Sequence, residues 1–243
     1  VSVIDELKLY HERFDASFFP FWDDALTAHR PRLYELCDAI EAGIQFPLRW
    51  SAITRANMVR PELLRAMKRA GLVAVNFGVE SGDDEILRAI KKNITTDTVV
   101  RALEWAKEEE LYSACNFMLG FPQESPAALE RTLRFMQRIA PMVDSFSTLG
   151  VVVPFPGTPL YDRMVEEDRI LDNYKWEDFH LWKDDVFELK NFEKNEIKEY
   201  FDYAHDKISN ELGPPALQSM ESQLDSYQEL KDKSDDFHAF LAN

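Results

Sequence analysis

Polar and charged residues stand at the ends of five apolar runs, where ligands bind if the runs form a parallel α/β sheet. In chain order, the polar residues and their neighbours at these ends are Trp22, Asp23 and Asp24, then Thr54 and Arg55, then Glu80 and Ser81, then Asn116 with the turn Gly120-Phe121-Pro122, and last Val153, Pro154 and Phe155. The carboxyl ends of parallel strands share one rim, so we expect these groups to converge there. Such groups can bind the hydroxyls, amine or carboxylate of a small molecule.

Glu80 is the most informative of these residues. It adjoins an apolar strand end, where an unpaired charge is costly, so it should meet a hydroxyl, an amine or a cation. A structural ion pair is the alternative. Asp24 has the alternative of accepting hydrogen bonds within its own loop, Arg55 that of a surface ion pair, and Gly120 that of a turn glycine.

Other kinds of site have little support. A metal held by Asp23, Asp24 and Glu80 would lack histidine partners, because the five histidines fall outside the strand ends. No G-x-S-x-G element of a serine hydrolase is present. The two cysteines, Cys37 and Cys115, offer neither a disulfide framework nor the C-x-x-C spacing of a metal site.

The periodicity of apolar residues predicts strands and helices in alternation. Strands are predicted at 18–22, Leu48–Ile53, Leu72–Val79, Tyr112–Leu119 and Ser145–Val153, and helices at Val3–Phe14, Arg32–Ala42, Glu62–Ala70, Asp83–Lys91, Thr96–Glu110, 125–140 and from Leu160. This alternation indicates βαβ units around a parallel sheet, and hence the α/β class. The chain opens with a helix where an α/β barrel opens with a strand, so we expect a missing strand upstream of Val1.

The negative charge is concentrated in the last third of the chain. The 243 residues carry 44 acidic and 28 basic side chains, a formal net charge of −16. Residues 1–161 hold 22 acidic and 18 basic groups, whereas residues 162–243 hold 22 and 10. We therefore expect a folded core at 1–161 and an acidic, mainly helical region with a solvated surface at 162–243.

The same composition limits the partners. Net negative charge argues against nucleic-acid binding through phosphate contacts. No apolar run approaches the ~18 residues of a membrane helix. No secretory leader follows Val1, so the cytoplasm is the expected compartment.

Five motifs follow one another between about Val3 and Ile170. They are Phe21-Trp22-Asp23-Asp24-Ala25-Leu26-Thr27, Arg60-Pro61-Glu62-Leu63-Leu64 through Gly71, Gly78-Val79-Glu80-Ser81-Gly82 through Thr95, Asn116-Phe117-Met118-Leu119-Gly120-Phe121-Pro122-Gln123-Glu124-Ser125, and Pro154-Phe155-Pro156-Gly157-Thr158-Pro159-Leu160-Tyr161. In this order and spacing they resemble radical S-adenosylmethionine enzymes of the branch that carries an upstream cobalamin-binding domain. The resemblance implies a partial (β/α)6 TIM-like barrel, here missing its first strand, with an α-helical C-terminal extension.

The resemblance also implies that the rim binds S-adenosylmethionine. By position, Asp23 or Asp24 matches the contact to the methionine amine. Lys92, and less closely Arg55, match cations near the methionine carboxylate. Trp22 matches an apolar or stacking contact.

The nucleoside half of the cofactor is matched by the later motifs. Glu80, with Ser81 beside it, matches the position that binds ribose hydroxyls, and the two oxygens of a carboxylate suit a vicinal diol. Asn116 matches a second ribose contact. The segments Gly120–Pro122 and Val153–Phe155 match those that flank adenine, and Phe121 matches a further apolar contact.

One departure from the family dominates the interpretation. The family binds a [4Fe–4S] cluster through C-x-x-x-C-x-x-C, and this motif is absent from the 243 residues. We therefore expect an inactive fragment of a larger, cobalamin-binding enzyme. That enzyme would use a 5′-deoxyadenosyl radical to abstract hydrogen from a small-molecule substrate, for methyl transfer or for oxidative or cyclising chemistry. The alternative is a non-catalytic barrel remnant that binds a nucleoside-like ligand.

Overall fold

The computed structural model describes residues 2–23 and 26–170, together with the single residues 175, 199, 202, 203 and 206. Asp24 lies outside the described residues, and so does almost all of the acidic region expected at 162–243. The boundary near residue 161 and the helical character of that region stay predictions.

Helices and strands alternate through the described ranges. The elements are α1 (Val3–Phe14), β1 (Phe18–Phe21), α2 (Arg30–Gly43), β2 (Arg49–Thr54), α3 (Pro61–Arg69), β3 (Leu72–Glu80), α4 (Asp84–Ala89), α5 (Thr96–Glu108), β4 (Tyr112–Leu119), α6 (Pro126–Ile139), β5 (Ser145–Val151) and α7 (Pro159–Glu166). The sheet order is β1-β2-β3-β4-β5, and each neighbouring pair is parallel. Spatial order equals chain order, so right-handed connections place the helices on one face of a curled half-barrel. The predicted α/β partial barrel is confirmed.

Short polar side chains fix the start of five helices. The capping residues are Ser2 for α1, Asp83 for α4, Thr95 for α5, Ser125 for α6 and Thr158 for α7, and each accepts a hydrogen bond from a backbone N–H of the first turn. A cap of this kind contributes about 1 kcal/mol. Three of these caps follow strands directly, so they determine where each strand-end loop stops.

The helix-facing side of the sheet forms the core. Phe77, Phe117 and Phe146 are fully buried on β3, β4 and β5. The Phe117 ring meets Phe146 edge-on at 5.9 Å between centroids and Phe135 of α6 at 6.4 Å. Side chains alternate between the two faces of a strand. The neighbours of these phenylalanines therefore point to the concave face, where the site is formed.

Within the part of the chain that the structure describes, every helix falls short of the length and apolar character that a membrane span requires.

Candidate functional site

The end of β3 carries an ion pair between two of the predicted site residues. Glu80 Oε1 accepts a hydrogen bond from Lys92 Nζ at 2.6 Å, and the two side chains are only 19% and 15% exposed. The sequence matched Glu80 to the ribose and Lys92 to the methionine carboxylate, with an ion pair as the alternative for Glu80. The structure brings the two residues together, and Lys92 donates a hydrogen bond directly to the Glu80 carboxylate.

The backbone at this strand end is irregular in a way that places Glu80. The pairing of β3 with β4 shifts between Gly78 and Glu80, which leaves Val79 as an extra residue of a bulge. Glu80 has a φ of 75°, a left-handed conformation that side-chain-bearing residues seldom adopt. Backbone strain of this kind clusters at ligand-binding positions.

Gly78 provides the space for the ion pair. A Cβ atom at this position would lie 2.9 Å from Glu80 Oε1 and 3.2 Å from Lys92 Nζ. Both distances are tighter than ordinary van der Waals contact. A side chain at residue 78 would therefore displace the carboxylate and the ammonium group from the positions in which they meet.

Asn116 takes part in a chain of hydrogen bonds that spans three strands on the concave face. Asn76 Nδ2 of β3 donates to Ser147 Oγ of β5 at 2.9 Å, and the Ser147 hydroxyl donates to Asn116 Oδ1 of β4. The sequence predicted Asn116 but missed its two partners. An asparagine inside the apolar run 72–79 was the available signal for Asn76.

The loop after β4 is shaped by a buried carboxylate. Gly120 has a φ of 87°, and its N–H donates to Glu124 Oε2 at 2.6 Å. Glu124 is fully buried. Burial raises its pKa to about 7, although hydrogen bonds from the N–H groups of Gly120 and Phe121 act in the opposite direction. Glu124 was only quoted within a motif, and its control of the turn Gly120–Pro122 was missed.

Two predicted cofactor contacts direct their side chains into the interior. Ser81 is fully buried; its hydroxyl is hydrogen-bonded to that of Thr132 at 3.0 Å and accepts from the Asp83 N–H at 3.1 Å. Phe121 is 9% exposed and packs in an apolar cluster with Val152. Both side chains serve packing, which leaves their backbones as the groups able to face a ligand.

The two segments matched to adenine lie next to each other. The Val152 N–H donates to the Leu119 carbonyl at 2.8 Å and joins the end of β5 to the end of β4. Val153 and Pro154 are buried, whereas Phe155 is 44% exposed. The turn Gly120–Pro122, which is also buried, begins beside this junction.

The remaining predicted residues lie at the ends of β1 and β2. Trp22 is 77% exposed, and with Asp23 it lines a groove of about 580 Å³ between β1, α1 and α2. Arg55 is half-buried at the end of β2. Among the described residues, the ion-pair partner of Glu80 is Lys92 and not Arg55.

The cysteines present do not fit an iron–sulfur cluster. Cys37 lies on α2 and Cys115 on β4, and both are buried in the core. Burial raises the pKa of the Cys37 thiol to about 11 and that of Cys115 still further. The thiolate is the metal-binding form, so neither residue is poised to ligate iron. Within the described ranges, no three His, Cys, Asp or Glu side chains form a metal-binding group.

Comparison with known proteins identifies related sequences. The model of the Radical SAM superfamily matches residues 3–136. A protein of Pyrococcus horikoshii named "Uncharacterized methyltransferase" is 29% identical over 216 residues, which cover 88% of this chain and 45% of that protein. The anaerobic magnesium-protoporphyrin IX monomethyl ester cyclase of Cereibacter sphaeroides is 26% identical over 72% of this chain and 29% of the cyclase. The chain spans less than half the length of these relatives.

A solved structure shares the fold. The radical S-adenosylmethionine methyltransferase TsrM from Kitasatospora setae, solved with cobalamin and a [4Fe–4S] cluster bound, matches with a TM-score of 0.60 at 17% identity. The match covers 68% of this chain and 31% of TsrM. At this level of identity the comparison shows a common architecture.

Proposed function

This chain belongs to the radical SAM superfamily, and on that premise we propose that its rim binds the nucleoside half of S-adenosylmethionine. The whole protein would use the 5′-deoxyadenosyl radical to abstract hydrogen from a small-molecule substrate. Relatives named as a methyltransferase and as a cyclase support methyl transfer or ring closure as the outcome.

The observation that carries this function is the placement of Glu80 beside Asn116. Asn116 pairs in register with Gly78, and Glu80 pairs with Phe117, the residue after Asn116. The two side chains therefore belong to adjoining positions of neighbouring strands. A carboxylate accepts hydrogen bonds from both hydroxyls of a vicinal diol, and an amide can donate to the same oxygens. Together they complement a ribose.

Lys92 fits this role as a partner of Glu80. Its ammonium group donates to Oε1 at 2.6 Å. Within the described residues, Oε2 of Glu80 accepts no hydrogen bond. A bound diol can therefore use Oε2 and share Oε1 without breaking the ion pair.

The remaining cofactors are assigned to parts of the protein outside these 243 residues. In this superfamily, a [4Fe–4S] cluster supplies the electron that cleaves S-adenosylmethionine. The buried cysteines of this chain do not fit that cluster, so no step is assigned to residues of this chain through it. The TsrM structure, with cobalamin and the cluster bound, supports an upstream cobalamin-binding domain as a further part of the whole protein.

The test is the binding of 5′-deoxyadenosine to the chain, measured by titration calorimetry or ligand-observed NMR. This probe lacks the methionine moiety, so it reports on the rim alone. In Glu80→Gln the neutral amide replaces the charged acceptor, and we expect affinity to fall roughly tenfold. Glu85→Gln, at an exposed position of α4, is the matched control. Equal binding by wild type and Glu80→Gln would contradict the proposed site.

A non-catalytic barrel that binds a nucleoside-like ligand is the second candidate, and the buried cysteines favour it. Both candidates bind 5′-deoxyadenosine, but they differ in chemistry. Anaerobic incubation of the full-length protein with S-adenosylmethionine, iron, sulfide and a strong reductant should release 5′-deoxyadenosine if the protein is an enzyme. Chromatography that detects no product in a cluster-loaded sample would select the non-catalytic candidate.

A further inference from the structure

Building on the proposed function, we infer that Asn76 and Ser147 are positioning residues that hold the Asn116 amide as a hydrogen-bond donor toward a ligand hydroxyl. Neither residue was among the expected site residues. Both act through Asn116, and the sequence motifs include neither of them.

Ser147 reaches Asn116 because of a β-bulge. The register pairs Phe146 with Cys115 and Thr148 with Asn116, which places Ser147 in the bulge of β5. Bulges redirect side chains and often stand next to functional sites. Phe146 is fully buried in the core, whereas the Ser147 hydroxyl donates a hydrogen bond to Asn116 on the concave face.

The chain of hydrogen bonds has a direction. Asn76 Nδ2 donates to Ser147 Oγ at 2.9 Å, and the Ser147 hydroxyl donates to Asn116 Oδ1. A serine hydroxyl carries one proton, so it can serve only one acceptor. With Oδ1 occupied, Asn116 is left with its Nδ2 group, which donates to no described residue.

This direction of the hydrogen bonds suits the recognition of a diol beside Glu80. The carboxylate accepts hydrogen bonds from the two hydroxyls, and the hydroxyl oxygens keep lone pairs that accept from an N–H donor. The reversed chain would present Asn116 Oδ1 instead. That oxygen would compete with Glu80 for the same protons, so diol recognition would weaken.

Asn76 is the first donor in this chain of hydrogen bonds and lies at its buried end. Its Oδ1 atom is buried and has no hydrogen-bond partner among the described residues. A buried acceptor without a partner is costly, and an apolar side chain at residue 76 would avoid that cost. Packing alone therefore does not account for the asparagine, whereas a role in directing Ser147 does.

The experiment measures diol recognition as a ratio of affinities. The chain is titrated with 5′-deoxyadenosine and with 2′,5′-dideoxyadenosine, which lacks one hydroxyl of the diol. We expect wild type to prefer the diol roughly tenfold. In Ser147→Ala the Asn116 amide loses its fixed orientation, and the preference should fall to about threefold or less. Ser147→Thr keeps the hydroxyl and should keep the ratio. Ser145→Ala, at another half-buried serine of β5, is the matched control.

A second variant tests the direction itself. Asn76→Asp, assayed near pH 8, offers only acceptors, so the Ser147 hydroxyl donates to residue 76 and the direction of the hydrogen bonds reverses. Its preference for the diol should fall as far as in Ser147→Ala, while circular dichroism confirms the fold.

The outcomes separate the two levels of the hypothesis. If wild type binds neither nucleoside or does not distinguish them, the proposed function fails, and the inference fails with it. If wild type prefers the diol and either Ser147→Ala or Asn76→Asp does so equally, the proposed function stands and the positioning role is overturned.

Discussion

At the scale of single residues, the absence of a Cβ atom at Gly78 leaves the space in which Glu80 and Lys92 form their ion pair. In Gly78→Ala the new methyl group lies 2.9 Å from Oε1 and 3.2 Å from Nζ. Both atoms are at the ends of flexible side chains, so the side chains of Glu80 and Lys92 shift while the backbone of the strand stays in place. Alanine also recovers roughly 0.5–1 kcal/mol of backbone entropy relative to glycine. We expect an almost unchanged melting temperature with roughly tenfold weaker binding of 5′-deoxyadenosine.

Gly82 provides the contrasting substitution. A Cβ atom there would lie 2.5 Å from Phe135 Cβ and 2.8 Å from Thr132 Cα, on the backbone side of α6. Packed helix atoms cannot move aside cheaply, so Gly82→Ala should destabilise the fold by about 1–3 kcal/mol. Chemical denaturation measures this difference. A larger stability loss in Gly78→Ala than in Gly82→Ala would contradict the assignment of Gly78 to the site.

At the scale of elements, the loop between β4 and α6 depends on the protonation of Glu124. Burial raises its pKa from 4.5 to about 7. Below about pH 4.5 the carboxyl group is neutral in both folded and unfolded chains, and its contribution to stability is complete. As pH rises to about 7, the unfolded chain releases the proton while the folded chain retains it. The free energy of unfolding therefore decreases across this interval.

Glu124→Gln removes that dependence because glutamine stays neutral. Between pH 5.5 and 8, the wild-type free energy of unfolding should decline by about 2 kcal/mol more than that of the variant. Urea denaturation at several pH values measures the difference. Glu108→Gln, at an exposed position of α5, should follow wild type. Parallel pH profiles for wild type and Glu124→Gln would show that Glu124 titrates normally.

The pKa of Asp83 is shifted in the opposite direction to that of Glu124. Its burial raises the pKa, but hydrogen bonds from Arg131 and from the N–H groups of Ile86 and Glu85 outweigh this effect and hold the pKa below its usual value. A depressed carboxyl pKa gives stability that is lost only as pH falls further into the acid range. Asp83 therefore stays charged between pH 5.5 and 8, where its charge adds to the rise in the Glu124 pKa.

The regular elements were predictable because local periodicity and caps determine them. The predicted strand Tyr112–Leu119 is confirmed residue for residue, and Ser125 caps α6 as expected. The predicted strand Ser145–Val153 ends instead at Val151, because β5 has no more of β4 to pair with after Leu119.

The finer features of the site escaped prediction because they are tertiary. The bulge that directs Ser147 depends on the register between β4 and β5, which no single segment encodes. The pairing of Glu80 with Lys92 depends on how the chain returns after α4. Similarly, the Ser81 side chain points into the interior, where its hydroxyl is hydrogen-bonded to that of Thr132 on α6, a residue distant in sequence. The motifs thus located the strand ends correctly along the chain, while neighbouring elements determined each side chain's partner.

At the scale of the whole molecule, the rim divides into two halves. The ends of β3, β4 and β5 form a connected polar and apolar surface around Glu80 and Asn116. The end of β1 presents Trp22 and Asp23 to an open groove instead. In the proposed function, the connected half binds the nucleoside. In the same proposal, the β1 half would face the methionine moiety.

The burial of both cysteines predicts how the isolated chain responds to iron and sulfide under anaerobic conditions. Both cysteines are buried, and burial raises the pKa of each thiol, so thiolate ligands are not available without unfolding. We expect the chain to gain no absorbance near ~400 nm and to bind no more iron than the double variant Cys37→Ala/Cys115→Ala. The chain should still bind 5′-deoxyadenosine. Four irons per chain, lost in the double variant, would instead show that these 243 residues hold the cluster themselves.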